Sequence, residues 1–152
     1  MKIYPSIRSL NMVDWPHIVS IEESVADKWG ENEFRKCFYS KYSRQIRIIV
    51  AEYQERIVGY SVFKFHDNRI HVLRLATLGS FMRRGVASAL FKHVSDKLSN
   101  IRPELTTEID EANLPMQLFL KSVNAKAVGI NRNNGNYCFK FKHDFKKLKA
   151  KG

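Results

Sequence analysis

The sequence holds only two cysteines, Cys37 and Cys138, too few for a disulfide framework and without the C-x-x-C spacing of a metal or redox site. Both read as buried or idle thiols in a reducing compartment, so a cytoplasmic location is the expectation. Nowhere does the chain carry the roughly 18 consecutive apolar residues that a membrane span needs. Residues 1–9 lack the continuous apolar stretch of an export signal, so neither membrane association nor export is expected. The five histidines, at positions 17, 66, 71, 93 and 143, are scattered without ligand spacing, and no metal is expected. No serine lies in a G-x-S-x-G context, which removes support for a serine hydrolase. With four prolines and seven glycines there is no Pro/Gly/Ser-rich linker, and no internal repeat divides the 152 residues. One domain is expected over residues 1–143, followed by a basic tail at 144–152.

Apolar residues make up 44% of the chain and are spread along its whole length, enough for a core of its own. The formal net charge of +11 points to an acidic partner such as nucleic acid, a ribosomal surface or a phosphorylated cofactor. Much of that excess lies between Lys140 and Lys151, however, where a solvated tail explains it equally well.

Tyr4 to Arg8 reads as a short first strand. Asn11, with Asp14 three residues on, can cap a helix whose buried face carries Ile18, Ile21 and Val25, and Gly30 interrupts it before a second helix at about Glu31 to Tyr39. The period then changes. Runs at 46–52, 56–65 and 69–77 are β-branched and aromatic, separated by short polar turns, and predict a three-stranded antiparallel meander. Helical spacing returns from Gly85 to Leu98 with Val86, Leu90, Val94 and Leu98 on one side. A strand at 105–109 follows, then a helix capped by Asn113 with Pro115 in its first turn, running to about Asn124. Two strands, about Ala125 to Asn131 and Tyr137 to Phe141, flank the turn-rich residues 132–136. The predicted fold class is therefore α/β of the α+β kind, with seven strands in a mixed sheet and four helices packed on it.

The stretch from Leu75 to Phe91 combines a strand, a basic turn, a glycine and small residues that open a helix. N–H groups at a helix N-terminus have no intrahelical partner and carry the positive end of the helix dipole, so they can converge on a pyrophosphate. Gly85 and Ala87 would let phosphates approach the backbone, while Arg83 and Arg84 add charge. The plainer reading is that Gly85 and Ala87 start a core helix and both arginines are ordinary surface residues. Residues 82–87, MRRGVA, resemble the Gln/Arg-x-x-Gly-x-Gly/Ala motif of the GNAT superfamily of acetyl-CoA-dependent N-acetyltransferases. The resemblance spans the whole chain and is greatest to the ribosomal-protein alanine N-acetyltransferases. There Leu75, Ala76 and Thr77 match the strand before the turn, and residues 27–34 match the Pro-Trp-Ser-x-x-x-Phe stretch.

That resemblance implies acetyl-CoA as cosubstrate. Leu75, Ala76 and Thr77 are then expected to pair with its pantetheine arm, Arg83, Arg84, Gly85, Val86, Ala87 and Ser88 to hold its pyrophosphate, and Asn113 to contact it. Met82 departs from the motif at its Gln/Arg position, where a backbone amide can serve whatever the side chain. The implied acceptor is a primary amine, a protein N-terminal α-amine on a ribosomal-protein-like substrate, with small amines and lysine as alternatives. An amine near pKa 8 at an N-terminus, or near 10.4 in lysine, must lose a proton before it attacks. Glu108 matches the subgroup's general base; the plain alternative is an edge carboxylate in a surface pair. The tyrosine that protonates the leaving thiolate has its counterpart at Leu120, so the general acid is not identified and a module that binds acyl-CoA with weak or no catalysis is the alternative. The sequence leaves monomer and homodimer both open.

Overall fold

In the computed structural model the described residues are 1–25, 28–38 and 43–142. The three β-branched runs form β2 (Ile46–Tyr53), β3 (Arg56–Phe65) and β4 (Arg69–Thr77), each antiparallel to the next as the meander pattern predicts. β1 (Ser6–Ser9) pairs antiparallel with β2 at one edge. β5 (Glu104–Ile109) joins β4 in parallel, and β7 (Tyr137–Lys142) and β6 (Lys126–Ile130) complete the far side. The seven-stranded order is β1-β2-β3-β4-β5-β7-β6.

Four helices cover this sheet: α1 (Trp15–Glu23), α2 (Glu31–Phe38), α3 (Val86–Ser95) and α4 (Leu114–Ser122). The sheet is covered on both faces because its strands alternate between two apolar clusters. Ile18, Ile21 and Phe34 of α1 and α2 pack with Val50, Tyr60 and Val62. Val86, Leu90 and Val94 of α3 and Leu120 of α4 pack with Ile49, Phe63, Ile70 and Phe139. Gly59 on β3 makes the second packing possible, since a Cβ there would stand 2.7 Å from Val86 Cγ1 and 3.0 Å from the Ala76 carbonyl. The first turn of α3 is thus pressed directly onto the β3–β4 pair.

Several boundaries differ from expectation. The first strand begins at Ser6, and Tyr4 is exposed. The Asn11–Asp14 capping box forms, but it opens a single 3-10 turn at Met12–Asp14 that runs into α1 at Trp15. α1 stops at Glu23, so Val25 lies in the bend beyond it rather than on the buried stripe, and Glu22 is buried beside Ile18 and Ile21. Tyr39, the expected end of the second helix, lies outside the described residues. The fourth helix ends at Ser122, with Asn124 in the left-handed conformation (φ 69°) that asparagine tolerates after a helix. Lys140 and Lys142 belong to β7 and pair with Glu104, which takes them out of the basic tail, while residues 144–152 lie outside the described set.

Candidate functional site

β4 and β5 are paired only from Arg69–Glu104 to Val72–Thr107. Beyond Val72 the two strands separate, so among the described residues Leu73 to Thr77 have no strand partner on the side away from β3, and Glu108 and Ile109 face them across the opening. Because these strands are parallel, the turn after β4 and the turn after β5 emerge at the same end of the sheet. The N-termini of α3 and α4 both stand there. A cleft with one bare strand edge and two helix N-termini can receive an extended polar chain that ends in phosphate.

The turn leading into α3 is unusual in its backbone. Arg83 (φ 64°) and Gly85 (φ 94°) both adopt the left-handed region, and Gly85 is the N-cap of α3. Left-handed residues alternating with Arg84 give the kind of concave backbone in which successive N–H groups converge on an anion. No side chain caps this helix, so among the described residues the Val86, Ala87 and Ser88 amides have no hydrogen-bond acceptor. Arg83 is exposed beside them. The Arg84 guanidinium instead lies 5.1 Å from the Phe81 ring centre, and its carbonyl accepts the Ile3 N–H at 2.7 Å. Arg84 therefore fixes the turn more than it offers free charge. Asn113 caps α4 by accepting the Met116 N–H at 3.3 Å. The parallel β4–β5 pairing brings residues 75–77, 83–88 and 113 to the same end of the sheet.

Glu108 projects from β5 with the alternation of Thr106, opposite to Leu105, and so lies on the face that carries α1 and α2. Its Oε1 accepts the Asn131 side-chain N–H at 2.6 Å and the Cys138 thiol at 3.8 Å. Burial, aided by the Glu108 carboxylate, pushes the Cys138 thiol up and keeps it protonated. Oε2 of Glu108 has no hydrogen-bond partner among the described residues. On the neighbouring strand His71 shares a 2.8 Å contact with Thr106 Oγ1, and burial holds its imidazole below the usual value although Glu108 pulls the other way. Leu120 is 2% exposed within the α3–α4 core. The position aligned with a tyrosine acid is thus a packed core residue. Tyr137 packs against that same core with Phe139 and Phe141.

One polar group was missed in reading the sequence. Glu22 (4% exposed) and Arg74 (9% exposed) form a two-pronged ion pair, with Arg74 Nε 2.9 Å from Oε1 and Nη2 2.7 Å from Oε2. The Tyr60 hydroxyl donates to Glu22 Oε1, and the Trp29 backbone N–H donates to Oε2 at 2.8 Å. Burial, and then the bond to Glu22, push the Tyr60 phenol well above its ordinary value, so it remains a donor. The Arg74 guanidinium also sits 5.7 Å from the centre of the Trp29 ring. Four groups thereby tie the segment before α2 to the sheet. The signal was present: Glu22 interrupts the apolar stripe of Ile18 and Ile21, and Arg74 interrupts the buried alternation of Ile70, Val72 and Ala76.

No curated protein matches the chain by sequence. Solved structures match it in shape. The Thermoplasma acidophilum PaiA N-acetyltransferase, in complex with coenzyme A, superposes with a TM-score of 0.74 at 18% identity, covering 93% of this chain and 100% of that one. The Escherichia coli ribosomal-protein-S18-alanine N-acetyltransferase gives 0.71 at 16% identity over 90% and 91% of the two chains. Arabidopsis thaliana Naa50, bound to the bisubstrate analogue CoA-Ac-MVNAL, gives 0.73 at 13% identity over 93% and 100%. At these identities the likeness establishes the fold. The family model for the acetyltransferase (GNAT) family matches residues 4–124, from ahead of β1 to the left-handed residue after α4. That span takes in the whole cleft, its uncapped α3 turn and Glu108, and with it the chain belongs to the acetyltransferase (GNAT) family.

Proposed function

We propose that this acetyltransferase moves the acetyl group of acetyl-CoA to a primary amine, the α-amine at a protein N-terminus, with Glu108 as the base. The observation that carries the reading is the Glu108 carboxylate, set across the cleft from the bare edge of β4 with one oxygen held by Asn131 and the other without a partner among the described residues. As a GNAT acetyltransferase the chain draws its acetyl group from acetyl-CoA, and the converging α3 amides, the left-handed Gly85 and the open β4 edge suit such a cosubstrate. Leu75, Ala76 and Thr77 would hold the pantetheine arm, residues 83 to 88 the pyrophosphate, and Asn113 a further part of the cosubstrate. Glu108 Oε2 takes a proton from the acceptor ammonium, and the freed nitrogen attacks the thioester carbonyl. The new C–N bond forms as the C–S bond breaks, and the thiolate takes a proton from water. A thiol with a pKa near 8.5 is a tolerable leaving group near neutral pH without a dedicated acid.

The α-amine is favoured over other acceptors by its lower pKa, near 8 against about 10.4 for lysine, which lets a carboxylate base act at neutral pH. Two of the similar structures bear names of protein N-terminal chemistry, the S18-alanine enzyme and the CoA-Ac-MVNAL complex. A ribosomal protein is the substrate class the first of these suggests. The test is coenzyme A release from acetyl-CoA with three acceptor sets: peptides with free N-termini, the same peptides N-blocked with an internal lysine, and small polyamines. Release confined to free N-termini supports the reading. Release with the blocked peptides or the polyamines moves the acceptor, and binding without release in any set makes this a module that holds acyl-CoA.

Cosubstrate binding has its own check. Acetyl-CoA at 100 times its Kd should add about 2.7 kcal/mol to stability by mass action, read as a rise in melting temperature. In Gly85→Asp the increment should vanish, because a carboxylate would stand at the converging amides and the φ of 94° disfavours any side chain. An undiminished increment would move the phosphate site elsewhere.

A further inference from the structure

Asn131 opens the turn between β6 and β7 and has four hydrogen-bonding groups. Three of them close that turn. Its backbone N–H donates to the Asn136 carbonyl at 2.8 Å, its carbonyl accepts the Gly135 N–H at 2.7 Å, and its side-chain oxygen accepts the Asn133 N–H at 2.9 Å. The fourth, the side-chain N–H, leaves the turn and donates to Glu108 Oε1 at 2.6 Å, on a strand 23 residues earlier. The loop does not need that donor. Cys138, paired with Glu108 in the β5–β7 register, reaches the same oxygen at 3.8 Å. Both contacts fall on Oε1, and a carboxylate held at one oxygen is fixed in orientation while the other stays available.

We propose that Asn131 is the positioning residue for the base: it clamps Glu108 Oε1 so that Oε2 is the oxygen presented to the acceptor amine, and it makes that orientation depend on a closed β6–β7 turn. The inference rests on Glu108 being the base. Asn131 touches no reacting atom in this scheme and acts through the carboxylate. A hydrogen bond to a charged group is among the stronger ones a side chain makes, and near-attack geometry is sensitive to small misplacements of the group that takes the proton. The same turn then borders the acceptor and holds the base, so an acceptor that orders the turn also orders the carboxylate.

The test uses a substitution that separates the two roles of this side chain. Asn131→Asp keeps an oxygen for the Asn133 N–H but replaces the amide donor to Glu108 with a second carboxylate that repels it. Its kcat should fall about 10-fold or more, the scale of one hydrogen bond to a charged group, while the KM for acetyl-CoA and the stabilisation by acetyl-CoA stay unchanged. In a Glu108→Gln background the same substitution should produce no further loss, since the group through which it acts is gone. Asn131→Ala, which also removes the turn acceptor, should show the same kcat loss and, in addition, a lower melting temperature. A wild-type rate in Asn131→Asp, or an equal loss in both backgrounds, would overturn the positioning role and leave Asn131 as a turn residue. Full activity of Glu108→Gln by itself would instead overturn the base assignment, and the positioning role with it.

Discussion

Arg74→Met is expected to destabilise the fold by about 3–5 kcal/mol, the scale for removing one member of a buried ion pair. Among the described residues, the substitution leaves the Glu22 carboxylate, 4% exposed, with the Tyr60 hydroxyl and the Trp29 N–H to satisfy it. Against the 5–15 kcal/mol that holds a typical domain together, that is a large share. In a chain of this length it corresponds to a fall in melting temperature of roughly 6–20 °C. The paired replacement, Glu22→Met with Arg74→Met, should recover part of the loss, because an apolar pair removes the stranded charge but leaves the buried Tyr60 hydroxyl without its acceptor. A loss below about 1 kcal/mol in Arg74→Met, the value of an exposed pair, would show that the carboxylate reaches water. Trp29 gives a second reading. Its ring loses the guanidinium 5.7 Å away and its N–H bonds to a less constrained carboxylate, so its fluorescence should change in the folded variant.

Glu108→Gln should lower kcat by about 10²–10⁴, the usual contribution of a positioned proton acceptor. The amide keeps the shape of the side chain and still offers an oxygen to the Asn131 N–H, which isolates proton acceptance from packing. Stabilisation by acetyl-CoA should be retained, because the α3 amides and the β4 edge are untouched. Loss confined to kcat, with binding intact, is the signature of an interaction made only in the transition state. A Glu108→Gln variant with full turnover would mean that the acceptor amine loses its proton to water or to another side chain.

The meander, the order of elements and the hairpin were legible in the sequence because the apolar period changes cleanly from 3.6 to 2 at Ile46 and back at Gly85. The α3 turn was legible for a different reason: Gly85 occupies a position with φ of 94°, which only a residue without Cβ takes up easily. Periodicity could not reveal which strands would meet. The parallel contact between β4 and β5, which ends at Val72, joins residues 35 apart and leaves no mark on either local pattern. The Glu22–Arg74 pair was hidden similarly, since each charge looks like an exception to an apolar pattern until the other is placed beside it 52 residues away. Asn131 read as the last residue of a strand, just ahead of the turn-rich residues 132–136. Its backbone groups and Oδ1 do close the turn, but the destination of its side-chain N–H is a long-range fact that no local pattern encodes. Val25 and Tyr4 were misjudged through boundaries, which depend on cap geometry more than on period.

β6 lies at the open end of the sheet with all five of its residues exposed, including Val128 and Ile130. Between Ala127 and Gly129 its pairing with β7 slips, leaving Val128 as an extra residue. A strand that is short, begins with a lysine and is bent by a bulge makes a poor template for another chain, because its free N–H and C=O groups do not fall in a straight row. The opposite edge, β1, is only four residues long. At high concentration the protein can therefore leave the apolar side chains of β6 in water without recruiting strands from its neighbours. Removing the Val128 bulge would straighten β6 and turn the chain toward self-association.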